Sequence, residues 1–375
     1  AARAMRRLDA GDAVRVEGRI EPRRRDAPWL DARHVVARLD IERVHGHREA
    51  TGALRIANTL REVLARGGDA LPPRQRPLYT GMVFGDDRDQ QPIVVDDLRA
   101  AGLGHLLAVS GQNVAVVLGA ARPLLERCRY RVRFPLTLAF LALLLLVTRA
   151  EPSVLRAATM SGVVALAAAL GREASSQRVL ALAVTALVLV DPLLVESVGF
   201  RLSAAASAGI VVLAGPLARR LPLPRWLAEV VSVTVAAQLA VSPIVLTTFG
   251  GMPVASLPAN VLAAPVSGPV MVWGVTAGVV AGIVGGPIAT LIHLPTRLML
   301  GWVELVGRTA GRLPLGELHG GHLVVMALAG AVGLLTPPRR STTRRLAGVV
   351  LVATTLHPAW QLHHLRVRDE PVALG

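Results

Sequence analysis

The chain has 375 residues, 52% of them hydrophobic, and a mean hydropathy of +0.49, which places it outside the range of a soluble globular domain. Its formal net charge is +15, and every basic residue is Arg. The lack of Lys excludes a Gly-rich phosphate loop ending in Lys, and the single Cys128 excludes an internal disulfide or a Cys-rich metal site.

Residues 1–100 hold 19 of the 41 basic and 16 of the 26 acidic residues, so this part is nearly balanced at +3 and the rest carries +12. Val14, Val16 and Ile20 alternate with charged positions, as do Val35, Ala37, Leu39 and Ile41, which predicts half-buried strands. The polar run from Glu21 to Pro28 joins them. Ala53, Ala57, Leu60, Val63 and Leu64 follow helical spacing, closed by Gly67-Gly68. This reads as a small β-unit over residues 1–50, too short for a complete barrel, then connecting amphipathic helices over 51–101. The chain opens without Met, so its N-terminus reads as incomplete.

Apolar runs near the ~20-residue spanning length recur from Phe134 almost to the C-terminus. Phe134–Val147, Val154–Leu170 and Val179–Val190 carry almost no charge, whereas a soluble helical protein shows charged faces. The fold class is a polytopic α-helical membrane protein, with about eight to ten crossings preceded by the β-unit. Arg marks the loops. Arg122, Arg127, Arg129, Arg131 and Arg133 crowd one, Arg172 and Arg178 flank a second, Arg219, Arg220 and Arg225 a third, and Arg339, Arg340, Arg344 and Arg345 the last. Basic-poor turns lie between them at Glu151-Pro152-Ser153, Asp191-Pro192 to Gly199, and Gly250-Gly251-Met252-Pro253. Basic loops inside put residues 1–100 and the tail at 358–375 outside the cell membrane. Residues 257–337 read either as three crossings or, around His293, Pro295 and Arg297, as a helix lying in the interface.

The stretch Gly102–Val114 enters an apolar helix and is interrupted by Ser110-Gly111-Gln112-Asn113. Bare amides and a hydroxyl at membrane depth face protein or a wet cavity, so the break marks either a helix-packing notch or a pathway. Arg156, in a helix begun at Pro152, and Arg201, at the start of another, either snorkel to headgroups or line a path. Gln238 in mid-helix suits an interhelical hydrogen bond, and Asn260 follows Pro258 at an expected helix break. His45-Gly46-His47 and His363-His364 lack carboxylates at ligand spacing, so no metal or cofactor is expected. Asp86-Asp87-Arg88-Asp89 reads as a solvated turn.

Five segments in register resemble the ComEC competence family, which forms an inner-membrane channel for transforming DNA. Gly81–Asp86 is similar to its small-apolar-Gly-Asp segment, and Gly102–Val114, with His105, Ser110 and Gly111, to its His-Leu-Leu-Ala-x-Ser-Gly signature. Pro152-Ser153 through Arg156 resembles its Pro-Ser-x-x-Arg-Ala start. Asp191-Pro192, then Gly199-Phe200 and Ser203, resembles its Asp-Pro and Gly-Phe-x-Leu-Ser block. Gln238, Pro243, Phe249-Gly250 and Pro258-Ala259-Asn260 are similar to its next two helices. Many members have Leu-His where Gln112-Asn113 stands, and begin with membrane helices ahead of an OB-like domain, to which the β-unit would correspond in part. Full-length members often end in a metallo-β-lactamase-like domain. This chain stops at Leu365–Pro371, about where that domain would begin, and has no His-x-His-x-Asp-His run, so nuclease activity is not carried over.

The resemblance implies a non-enzymatic channel for single-stranded DNA in the cytoplasmic membrane. Ser110, Gln112, Asn113, Arg156, Arg201, Gln238 and Asn260 are its candidate path residues. Implied partners are the lipid bilayer, a separate nuclease or DNA receptor outside, a DNA-motor ATPase inside, and a second copy of the chain. Only Trp29, Tyr79 and Phe84 are aromatic in residues 1–100, so the β-unit is a poor stacking platform for bases and reads as a rim or docking surface. Two other classes compete. One is a small-solute transporter with helices broken at Pro258 and Gly111, for which no internal repeat is found. The other is a rhomboid-type protease with Ser110 activated by His293 or His322.

Overall fold

The computed structural model describes residues 8–22, 30, 34–322 and scattered positions between 324 and 359. The connection at 23–29, the Arg339–Arg345 loop, His363-His364 and the tail from 360 lie outside the described residues.

β1 (Ala13–Pro22) and β2 (Ala37–Arg48) pair antiparallel, from Ala13 opposite Arg48 to Pro22 opposite Ala37, with register slips after Arg15 and after Glu17. The alternation predicted one covered face. Val14, Val16, Ile41 and Val44 are partly covered, whereas Ile20 and Leu39 are exposed. A two-stranded hairpin has too little area to bury a face alone, and the residues that flank this one are tied to each other and to the first helix. Asp12 accepts from the backbone N–H groups of Asp9 and Ala50 and from His47 Nε2, each at 2.9 Å. Asn58 Nδ2 donates to the Ala10 carbonyl at 3.0 Å.

α1 (Gly52–Gly68) has the bounds its periodicity predicts, and is followed by α2 (Arg76–Phe84) and α3 (Pro92–Ala100). Expected as connectors, these helices build the main core instead. Leu64, Leu78, Tyr79, Phe84 and Leu98 pack with Val270, Leu300 and Val303, which belong to α10 (Ser256–Val284) and α12 (Leu294–Gly311). A Cβ on Gly67 would meet the Gly278 carbonyl, and one on Gly282 the Val63 carbonyl, so α1 and α10 touch backbone to backbone. In lipid, where apolar burial offers helices little gain, such close approach is the main source of association.

Between these two groups run α4 (Gly111–Glu126), α5 (Tyr130–Val147), α6 (Pro152–Ala169), α7 (Ser176–Val190), α8 (Val198–Ala218) and α9 (Arg225–Phe249). Among the described residues four helices, α6, α8, α9 and α10, are long and apolar enough to cross a membrane, while α7 has 15 residues. α8 widens into a π turn at Ile210–Ala214, just ahead of Pro216, which has no N–H to give the helical ladder. The molecule is a polytopic helical membrane protein with a small β region.

Pro258 does not break a helix. It stands in the first turn of α10, where backbone N–H groups have no intrahelical partner, and the helix, 29 residues in all, runs on to Val284. The short α11 (Gly286–Ile292) then reverses the chain, and α12 returns antiparallel to α10. Trp273 Nε1 donates to the Ile292 carbonyl and Trp302 Nε1 to the Leu262 carbonyl, both at 3.0 Å. The β-unit sits against basic-poor turns: His34 Nε2 lies 3.0 Å from Asp191 Oδ2, and Arg149 Nη2 lies 3.5 Å from Asp9 Oδ1.

Candidate functional site

The sequence break before α4 is a break in the structure. Gly104–Leu107 forms a single 3₁₀ turn, Ala108 is extended, and α4 starts at Gly111 with Ser110 in extended conformation before it. Extended backbone leaves its polar groups to outside partners, and the neighbouring helices supply them. Ser153 Oγ donates to the Val109 carbonyl at 3.0 Å. Ser110 Oγ donates to Asn113 Oδ1 at 3.0 Å, and Asn113 Nδ2 donates to the Met82 carbonyl of α2 at 3.1 Å.

Arg156 closes this node. Only 6% exposed, it donates from Nε to Ser203 Oγ on α8 at 2.9 Å and from Nη1 to Met160 Sδ at 3.0 Å. It is held inside the protein rather than snorkelling to headgroups. Gly111 is required where it stands: a Cβ there would lie 2.7 Å from Arg156 Nη2 and 2.9 Å from the Ser153 carbonyl. Three separated segments, Ser110–Asn113, Ser153–Arg156 and Ser203, thus meet at one point.

Gln238 and Asn260 form a second node. Gln238 Nε2 donates to Ser256 Oγ at 2.7 Å and lies 3.2 Å from Met252 Sδ. Asn260 Nδ2 donates to the Ser256 carbonyl at 2.8 Å and reaches the Gly102 carbonyl at 3.4 Å. This ties α9 and α10 to the loop that leads into the first node. Gln112 and Arg201 join neither node and are exposed. Of the other signature positions, Asp191 Oδ1 accepts from the Leu193 N–H at 3.0 Å, Phe200 is buried against Leu187 and Leu194, and His105 is exposed.

Ser110 is not paired with a histidine. His293 Nδ1 lies 3.2 Å from Thr296 Oγ1, with its ring edge-on to Tyr79, and His322 Nε2 lies 3.1 Å from His357 Nδ1. The protease arrangement is therefore not formed among the described residues. His45 and His47 do have carboxylate neighbours, Glu17 at 3.0 Å and Asp12 at 2.9 Å, which pairing with β1 brings close and chain spacing could not show. Each holds a different one, and no group of three or more His, Cys, Asp or Glu among the described residues could hold a metal ion.

Sequence reasoning missed Arg61, which looks like an exposed charge on an amphipathic helix. It is 5% exposed, donates from Nη1 to the carbonyls of Phe84 (2.8 Å) and Val147, and lies 4.9 Å from the Phe84 ring centre. Burial, with the neighbouring Arg149 charge, lowers its pKa to about 10 and leaves it cationic at neutral pH. It stands 3.6 Å from Asp86, which also binds Arg88. Burial raises the Asp86 pKa, but the Arg88 hydrogen bonds and charge, helped by Arg61, outweigh it and hold the carboxyl below its usual range. The expected solvated turn is in part an ion-pair anchor between α1 and α2.

A family model described as Competence protein matches residues 82–340, a range that contains every residue of both nodes. The chain belongs to the competence protein family. A curated relative, the ComE operon protein 3 of Bacillus subtilis (strain 168), is 27% identical over 253 residues, 67% of this chain and 32% of the relative. The competence-family chain thus spans about a third of the length of the curated relative it matches. No solved structure matches it.

Proposed function

We propose that this chain forms the membrane passage for single-stranded DNA across the cytoplasmic membrane during natural transformation. The observation that carries the reading is the meeting of three family segments at one buried node, inside a helical membrane protein of the competence family. A channel needs helices held apart at fixed distances by polar struts, and the node supplies such struts between α4, α6 and α8. Ser110, Asn113, Arg156, Gln238 and Asn260 all have protein partners, so they position the walls. The exposed Gln112 and Arg201 are the path candidates left to meet phosphates, and Arg offers the fork geometry that phosphate oxygens accept.

On this reading the β-unit lies outside the cell with the basic-poor turns, and the basic loops lie in the cytoplasm. A separate nuclease or receptor delivers the strand outside, a DNA-motor ATPase draws it inside, and a second copy of the chain completes the wall. The chain itself performs no catalytic step. Uptake of labelled DNA in transformable cells tests the proposal. Arg201→Gln should reduce uptake with membrane insertion intact, and full uptake in an Arg201→Gln, Gln112→Ala double variant would remove the assignment.

A further inference from the structure

Beside the backbone contact of α1 with α10 lies an open groove of about 430 Å³, within the ~300–1,000 Å³ range of small-molecule sites. Leu60 and Val63 of α1 and Val279 of α10 line it, and Ile56 and Ile283, 61% and 72% exposed, form its lips. Two polar side chains of α1, Arg55 and Thr59, join them. The lining is graded along α1, apolar at the Val63 end and charged at the Arg55 end. Arg55 Nη1 stands 3.7 Å from Glu49 Oε2, and the two side chains are 66% and 70% exposed. An ion pair this exposed adds little stability, so either charge can change partner at little cost.

The place of the groove in the fold says what meets it. α10 is one of the helices long and apolar enough to cross a membrane. Its 29 residues extend about 43 Å, against a hydrocarbon core of about 30 Å, so its ends reach headgroup depth. Val279 and Ile283 stand in its last two turns. Gly67 meets Gly278 and Val63 meets Gly282, so α1 runs antiparallel to α10 and Arg55 lies past the end of α10, on the headgroup side. A molecule entering from the bilayer therefore sets an apolar tail at Val63 and a polar head at Arg55.

Charge selects the head. One cation beside one anion makes the rim neutral, so a purely anionic head that meets Arg55 also faces Glu49. A head with both a phosphate and an ammonium matches the pair: the phosphate accepts from Arg55 and from the Thr59 hydroxyl, and the ammonium donates to Glu49. A choline head has no N–H to give the carboxylate. We propose that the groove between α1 and α10 binds phosphatidylethanolamine, with one acyl chain along Leu60, Val63 and Val279 and the headgroup between Arg55 and Glu49. Glu49 lies between β2 and α1, so the bound lipid tethers the root of the β-unit to the bilayer surface, a role independent of DNA passage.

The test is native mass spectrometry of the whole chain released from detergent micelles. Phosphatidylethanolamine, phosphatidylglycerol and phosphatidylcholine with identical acyl chains are added one at a time. The intact chain should retain phosphatidylethanolamine about fivefold more than either of the others, the scale of one exposed charge pair. Arg55→Gln removes the phosphate partner and Thr59→Trp fills the groove, and each should lower this retention about tenfold. Glu49→Gln should lower phosphatidylethanolamine and raise phosphatidylglycerol, which a merely sticky surface would not do. Arg19→Gln, an exposed cation on β1 outside the groove, should change neither. Arg55 and Thr59 are exposed, and thermal unfolding of each variant in detergent shows that the fold is kept. Equal retention of the three lipids by the intact chain, or undiminished phosphatidylethanolamine on Arg55→Gln and Thr59→Trp, would overturn the proposal.

Discussion

Arg156 and Ser203, 47 residues apart in the chain, meet side chain to side chain between α6 and α8, with Nε donating to Oγ at 2.9 Å. The partner of this buried cation is therefore a hydroxyl on a neighbouring helix. Ser203→Ala removes the acceptor and keeps the volume, so the guanidinium is left buried with one donor unsatisfied. The expected loss is about 1–3 kcal/mol of stability, read as a lower unfolding midpoint in detergent. Unchanged stability would show that the pair does not hold α6 and α8 together.

Gly111 should not tolerate a methyl group. The nearest atoms to an added Cβ include the Ser153 carbonyl, which is backbone, so α4 and α6 must move apart. Gly111→Ala is expected to cost about 1–3 kcal/mol. A disulfide engineered between α4 and α6 in the parent should form more slowly in the variant.

Cys128 tests the orientation. It follows α4, in a basic loop, and is partly exposed. An impermeant thiol reagent should leave it unlabelled in intact cells and label it after permeabilisation. Labelling from outside would reverse the proposed topology.

The β-unit should loosen in acid. Hydrogen bonds from the Asp9 N–H, from His47 and from the Ala50 N–H lower the Asp12 pKa to about 2. A carboxylate with a depressed folded-state pKa adds stability that is fully present above its unfolded value near 4 and is lost as pH falls through about 2. Hydrogen exchange of β1 and β2 amides should therefore accelerate between these values. In Asp12→Asn the amides should exchange faster at neutral pH and show little of this dependence.

Some of this was legible along the chain and some was not. Gly, Ser and Pro mark backbone events locally, so the break before Gly111 and the helix start at Pro152 could be read from neighbouring residues alone. Pro258 misled because Pro both starts and breaks helices, and the spacing does not say which. Arg61 and Glu304 look like surface charges on amphipathic helices. Only the packing of α10 and its neighbours against those faces, set by pairs such as Gly67 and Gly278, shows that they are buried. The partners of Arg156 and Gln238 come from distant helices, and no local pattern announces them.

The contact between α1 and α10 bears on how this molecule can move. Where two helices meet through side chains, one can slide by repacking rotamers. Where carbonyls rest on glycine Cα atoms, as at Gly67 with Gly278 and Val63 with Gly282, there is no soft layer to absorb a shift. α1 and α10 must travel as one rigid body and carry the edge of the β-unit with them through Asn58. Any opening motion is then confined to joints elsewhere, and the widened turn of α8 ahead of Pro216 is one place where the backbone is already relaxed enough to bend.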